Sequence, residues 1–346
     1  MKIRLYDDNG YLNFRAVRDA GYPFTLIIGG RGTGKTYGAL RSCVEDGIVF
    51  AFMRRRQTQV DIINSPEFSP IRPICRDTGE QITNRPLVKG ISGFYRYQID
   101  EDGKEKIEGD PLGFTCALST LSNVRGFDAS HIQMLLYDEF IPEKGERALP
   151  NEADTLFNAY ETFNRNRELL GARPLQLICM ANSNDMTTPV LASLGLIRRI
   201  DKMTKSGQEI FTDDNRGLLL VLLRDSPISE AKSDTALYRL TNGSDFATMA
   251  LDNSFAYEDR GAIISRPLQE YRPIVAVGEI CIYEHKSKRV FYVSTHISGG
   301  PPTFTAGETD LQRFSRAFGW LWREYLADSV EFEEYLAQVL FIKYLT

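Results

Sequence analysis

The segment Gly29-Gly30-Arg31-Gly32-Thr33-Gly34-Lys35-Thr36 constrains this chain more than any other part of it. It fits G-x-x-x-x-G-K-[S/T], follows the apolar run Phe24 to Ile28 and opens a stretch of helical spacing, so it predicts strand, turn and helix in that order. Its glycines let the backbone fold into a nest whose N–H groups point at phosphate oxygens, and the helix that follows adds positive potential. Gly29, Gly30, Arg31, Gly32, Thr33 and Gly34 therefore line a phosphate cradle. Lys35 is expected to reach the β- and γ-phosphates of ATP, and Thr36 to hold Mg²⁺ through its hydroxyl. Arg31 is either a further cation at the triphosphate or a solvated loop residue.

A second apolar run, Met134 to Tyr137, ends in two carboxylates, Asp138 and Glu139. Phosphoryl hydrolysis needs one acid for the metal and one to orient the attacking water, which assigns Asp138 to Mg²⁺ and Glu139 to the water. A third run, Leu175 to Ala181, ends at Asn182, which is either a sensor of the γ-phosphate or a turn-forming asparagine. Between these runs a helix beginning near Pro150-Asn151-Glu152 is expected to bury Leu156, Phe157, Tyr160 and Phe163. It then presents Arg165-Asn166-Arg167-Glu168. Arg165 can insert into a neighbouring subunit's site to stabilise transition-state charge, or pair locally with Glu161 or Glu168.

Apolar runs without alternation, separated by helical stretches, predict a mainly parallel α/β sheet covered on both faces. Residues 71–120 carry turn signals and the strand-like Phe94-Tyr95-Arg96-Tyr97, which reads as a β-rich insertion. The expected organisation is a RecA-like additional-strand P-loop ATPase domain over 1–200, a lid or linker subdomain over 201–257 around Leu218 to Leu223, and an α+β domain over 258–346. In the last, Gly278–Glu284 and Arg289–Thr295 form a hairpin. Asp310 caps a helix through Leu311, Phe314, Phe318, Leu321 and Tyr325, and a second helix runs through Phe332, Tyr335, Leu336, Val339 and Leu340.

Composition narrows the function further. No apolar run approaches the ~20 residues of a membrane span, and the N-terminus reaches Asp7-Asp8 before a secretory signal could form. An intracellular protein without a membrane partner is expected. The 5 cysteines and 3 histidines show no ligand spacing, which disfavours a disulfide framework or a structural zinc site. A formal net charge of −5 argues against coating nucleic acid through bulk charge. Local contact remains open to Arg54-Arg55-Arg56, Lys89 and Arg96, and a ring would multiply each cation by its subunit number.

Taken in order, the cradle, Tyr137-Asp138-Glu139-Phe140-Ile141-Pro142-Glu143-Lys144, Pro150-Asn151-Glu152, Arg165-Asn166-Arg167-Glu168, Ala181-Asn182 and Leu251-Asp252-Asn253 resemble the DNA encapsidation ATPases of phi-twenty-nine-like podophages. The resemblance spans most of the chain and fades after about residue 258. It implies a translocase of double-stranded DNA that docks on the portal vertex of an empty prohead, in the host cytoplasm, as a homopentameric ring. It also implies that Arg165 acts in trans. The match departs at Asn164, which separates Phe163 from Arg165 and keeps Arg167 as the alternative. Arg125 falls where relatives carry a basic residue, and is either another trans contact or a surface arginine. The C-terminal domain is similar to an RNase H-like nuclease that has lost its active site and binds a structural packaging RNA or the portal. Two-metal cleavage needs converging carboxylates; Glu279 and Glu284 alone predict no nuclease activity. Other additional-strand ATPases, such as a helicase or a phage-assembly ATPase, and a nucleotide-dependent interaction switch are the competing readings.

Overall fold

Strands whose residues are apolar on both sides must be covered on both faces, and such strands form the centre of the larger sheet. The computed structural model describes residues 3–121, 129–142, 146, 149, 151–182, 188–224, 226–241 and 263–345. Nine strands, β1 (Phe24–Gly29), β2 (Phe50–Arg54), β3 (Ile82–Val88), β4 (Ile91–Ile99), β5 (Glu105–Ala117), β6 (Met134–Asp138), β7 (Gln176–Asn182), β8 (Ile210–Asp213) and β9 (Leu218–Leu223), run in the order β3-β4-β5-β2-β6-β7-β1-β9-β8. The inner pairs from β5 to β9 are all parallel. Antiparallel pairs close both edges, β3 and β4 against β5 on one side and β8 against β9 on the other.

The parallel core lines up the carboxyl ends of its strands, which is where open α/β sheets bind ligands. Strand β7 lies between the strand that feeds the glycine loop and the strand that ends in carboxylates, so it is the additional strand of the expected class. Gly29 pairs with Asn182, and Asp138 with Met180. The helix Lys35–Glu45 presents Ala39, Leu40, Cys43 and Val44 to a core that includes Ile27, Leu219 and Val221. Residues 71–120 supply β3, β4 and β5, as the turn signals required.

The chain divides into two units, Met1–Asp185 with Met203–Ala256, and Met186–Lys202 with Tyr257–Thr346. The expected lid is therefore corrected in its centre. Leu218 to Leu223 is fully buried and pairs with β1 along its whole length. Charged flanking sequence suggested a separate subdomain, but six consecutive apolar residues carry the signature of a covered parallel strand.

The second unit is built on β10 (Tyr271–Val277), β11 (Ile280–His285), β12 (Phe291–Ser294), β13 (Thr303–Phe304) and β14 (Val330–Phe332), ordered β13-β10-β11-β12-β14. The expected hairpin is β11 and β12. Phe332 is in β14 rather than in a helix, since the segment Val330–Phe332 pairs in parallel with β12 and buries Val330 and Phe332; the last helix starts at Tyr335. The helix expected at Asp310 starts at Glu308, so Asp310 lies inside its first turn instead of capping it. There its carboxylate accepts from the N–H and hydroxyl of Thr305. This helix ends at Phe318, and Leu321 and Tyr325 belong to the next one, Leu321–Leu326.

Candidate functional site

Gly34 carries the loop into its helix with a φ of +87°, a backbone that L side chains rarely adopt, and no side chain caps the first turn. The leading N–H groups of that helix are therefore available to an anion. Lys35 is buried. Its ammonium donates to the carbonyls of Gly29 (3.0 Å) and Gly30 (2.7 Å), to Thr33 Oγ1 (3.2 Å) and to Asn182 Oδ1 (3.4 Å). Burial is the main cause that brings its pKa down to about 7, assisted by a second cation, Lys232, and opposed by Asp138 and Glu139. Without an anionic partner this ammonium is close to losing its proton; a bound phosphate would restore the charge.

Thr36 donates to Asp138 Oδ2 at 2.9 Å. A hydroxyl and a buried carboxylate form a hard oxygen set, the chemistry that suits Mg²⁺ held by few protein ligands together with phosphate oxygens. Burial raises the Asp138 pKa, with Arg54 as the largest opposing influence. Glu139 follows in the left-handed region, φ 57°, which turns its side chain off the strand line at a conformational cost. A cavity of about 370 Å³ joins Arg31–Tyr37 of the loop and helix to Asp138, Glu139, Ala181 and Asn182. The calls on Gly32, Thr33, Gly34, Lys35, Thr36, Arg31, Asp138, Glu139 and Asn182 thus converge on one space at aligned strand ends. Lys35 also hydrogen-bonds the carbonyls of Gly29 and Gly30.

Two cations stand at this site that the sequence reading did not place there. Arg54, at the end of β2, pairs with Asp138 Oδ2 at 2.9 Å and also with Glu139. Its guanidinium is 13% exposed, so it serves the carboxylates and is not presented as a DNA contact. Alternation along a strand was the available signal, because Arg54 and Arg55 must point to opposite faces. Lys232, in the helix Pro227–Ser233, donates to the carbonyl of Arg31. Nothing in the local sequence links that lysine to the loop.

Arg55 is fully buried and makes a two-pronged pair with Glu152, Nε to Oε1 at 2.7 Å and Nη2 to Oε2 at 2.8 Å. Glu152 also accepts from Tyr137 Oη (2.8 Å) and the Leu149 N–H (3.0 Å), tying β2 and β6 to the start of the helix Glu152–Asn164. That helix buries Leu156 and Phe163 as expected but leaves Phe157 39% exposed. Arg165 stands at its C-terminal end, exposed, with φ 49°. Arg167 turns inward and donates to the carbonyls of Ala129, Ser130 and Ile132. Of the other candidate cations, Arg56 pairs with Glu146 and Arg96 with Glu80, while Lys89 is exposed in the turn between β3 and β4. Arg125 and Leu251-Asp252-Asn253 lie outside the described residues.

In the second unit Glu284 pairs with Arg272, and Glu331 with Arg266. Among the described residues no three His, Cys, Asp or Glu side chains converge as a metal site, and no helix is long and apolar enough to cross a membrane.

The family of podovirus DNA encapsidation proteins (Gp16) matches residues 7–295. A DNA packaging protein of Bacillus phage phi29 is 25% identical over 236 residues, which are 66% of this chain; the match spans 61% of that relative's length. Among solved structures, the bacteriophage phi-29 viral genome packaging motor assembly aligns with a TM-score of 0.66 at 18% identity, covering 97% of this chain and 99% of that one. The phi-28 gp11 DNA packaging motor gives 0.63 at 16% identity, covering 98% and 99%. At these identities the likeness establishes the fold.

Proposed function

This chain belongs to the podovirus DNA encapsidation family, and from that premise we propose that it is an ATPase that drives double-stranded viral DNA into a preformed prohead. The observation that carries the reading is the alignment of an anion-ready helix N-terminus, Lys35, Thr36–Asp138 and Glu139 around one cavity. Lys35 binds the terminal phosphates and compensates their charge. Thr36 and Asp138 would hold Mg²⁺, which when bound neutralises phosphate oxygens. Glu139 accepts a proton from the attacking water and orients it, while Asn182, in reach of Lys35, reads the terminal phosphate. Arg54 holds both carboxylates in place.

A nucleotide-dependent switch would not need Glu139 beside Asp138, which favours an enzyme that turns over. The ring, five-fold by resemblance, places Arg165 of one subunit at the phosphates of the next. The exposure of Arg165 and the internal tethering of Arg167 support that choice between the two. The portal, duplex DNA and a packaging RNA are the proposed partners, and the host cytoplasm the proposed location. Purified proheads test the function: with ATP and this protein, DNA should become resistant to nuclease, and Glu139→Gln should leave it sensitive. Equal uptake by both proteins would refute it, and repeating the assay with and without added RNA sorts the RNA partner. Mixing Arg165→Ala with Glu139→Gln subunits should partly restore hydrolysis; no rescue at any ratio would overturn action in trans.

A further inference from the structure

Strand β9 runs parallel to β1 with Leu223 opposite Gly29, so the chain that leaves β9 emerges at the same sheet end as the phosphate loop. It is fastened there before it reaches Lys232. Ser226 Oγ donates to the Gly10 carbonyl at 3.1 Å, and the N-terminal segment is itself tied to the loop by the Leu12 N–H, which donates to the Thr33 carbonyl at 2.9 Å. The helix Pro227–Ser233 then sets the half-buried Lys232 over the Arg31–Gly32 peptide, with its ammonium on the Arg31 carbonyl.

Among the described residues no carboxylate pairs with this ammonium, and burial lowers its pKa. It also stands near enough to Lys35 to press that side chain's pKa down. Two mutually repelling cations at one loop carry a cost that a bound polyanion would offset. Gly32 has a φ of +67°, and a Cβ on it would collide with Lys232 Nζ and lie 3.2 Å from Cε. Glycine here admits the lysine, and it leaves the preceding peptide free to turn over unless something holds it. The C=O and N–H of a trans peptide point in opposite directions. With Lys232 on the carbonyl, the Gly32 N–H is directed to the other side, and among the described residues nothing accepts from it. Both Arg31 and Gly32 line the 370 Å³ cavity.

We infer that Lys232 is a positioning residue for phosphate binding: by holding the Arg31 carbonyl it keeps the Gly32 N–H turned to the phosphates that Lys35 binds. The inference rests on the phosphate reading above. An ammonium on a carbonyl also polarises the peptide, which strengthens the N–H on its far side as a donor. Unlike Arg165, Lys232 acts on the loop of its own chain, so its effect is present in a single subunit.

Calorimetric titration of the full chain with inorganic tripolyphosphate and Mg²⁺ tests this, since that probe carries no nucleoside. Lys232→Met should weaken binding by about ten-fold or more, the loss that follows removal of one charge-assisted hydrogen bond. Lys232→Arg, which keeps the charge and the donor, should stay within a few-fold of the parent. Gly32→Ala, which drives the ammonium and the peptide apart, should also weaken the probe, and adding Lys232→Met to it should cost little more, because both act through one contact. Unchanged affinity in Lys232→Met, equal losses in the Met and Arg variants, or losses that simply add in the double variant would overturn the inference. Should Lys232→Met fail to fold, Lys232→Gln takes its place with the same loss expected. A parent that does not bind tripolyphosphate refutes the phosphate cradle, and this inference with it; binding that Lys35→Ala abolishes and Lys232→Met leaves intact refutes this inference alone.

Discussion

The two units handle their charged side chains in opposite ways. In the first, Lys35 at a helix start, Arg54 at the end of β2 and Asp138 and Glu139 at and just past the end of β6 meet at one site, where Arg54 pairs with both carboxylates and Asp138 opposes the lowering of the Lys35 pKa. In the second, Arg266 with Glu331, Arg272 with Glu284, and Arg289 with Glu324 satisfy each other in separate pairs. A parallel core explains the difference. Its strands all present their carboxyl ends on one side, whereas the antiparallel β10, β11 and β12 send neighbouring ends in opposite directions. Shared charges can do chemistry on a ligand, and paired charges mainly hold a surface together.

That contrast can be broken most severely at Lys35. Lys35→Ala should abolish nucleotide binding and hydrolysis, while Glu284→Gln leaves both at the parent level, as read by calorimetry and phosphate release. Loss in the second variant would mean that the second unit shares the chemistry. Next in size is the buried pair behind the site. Arg55→Ala leaves Glu152 buried without its cation and should cost about 3–5 kcal/mol in denaturant unfolding of the first unit. Arg289→Ala, at an arginine 79% exposed, should leave the unfolding transition where it is. Equal effects would remove the distinction between shared and separate pairs.

A smaller effect sharpens the account of Lys35. With its pKa lowered to about 7, the side chain is mostly neutral at pH 8, and an incoming phosphate favours the charged form. Binding at pH 8 should therefore take up a fraction of a proton. The uptake should shrink as the pH falls below 7, where the ammonium is already formed. Calorimetry in buffers of different ionisation enthalpy measures this directly. Proton release, or uptake that does not shrink below pH 7, would show that another group titrates.

The elements legible in the sequence were those with one dominant local cause. The loop Gly29–Thr36 needs its glycines, and β1, β6 and β7 need continuous apolar cover, so the residues at their ends follow from the chain itself. Leu218 to Leu223 carried the same signal but was overridden by its charged surroundings. Phe332 shows the limit for short segments, where three residues fit a helix face or a strand equally well. Arg54 and Lys232 were missed for a different reason. Their meaning is set by partners far away in sequence, at Asp138 and Arg31, and no local pattern records such a meeting. The basic run Arg54-Arg55-Arg56 is a candidate DNA contact on sequence alone, yet Arg54 pairs with Asp138 and Arg55 with Glu152.

The central claim is that Glu139 orients the water that splits a phosphate held by Lys35. Single-turnover hydrolysis by Glu139→Gln, measured beside nucleotide affinity, addresses it most directly. The account predicts affinity within a few-fold of the parent and a chemical step slowed by about 10²–10⁴-fold. Hydrolysis at the parent rate, with binding intact, would contradict it.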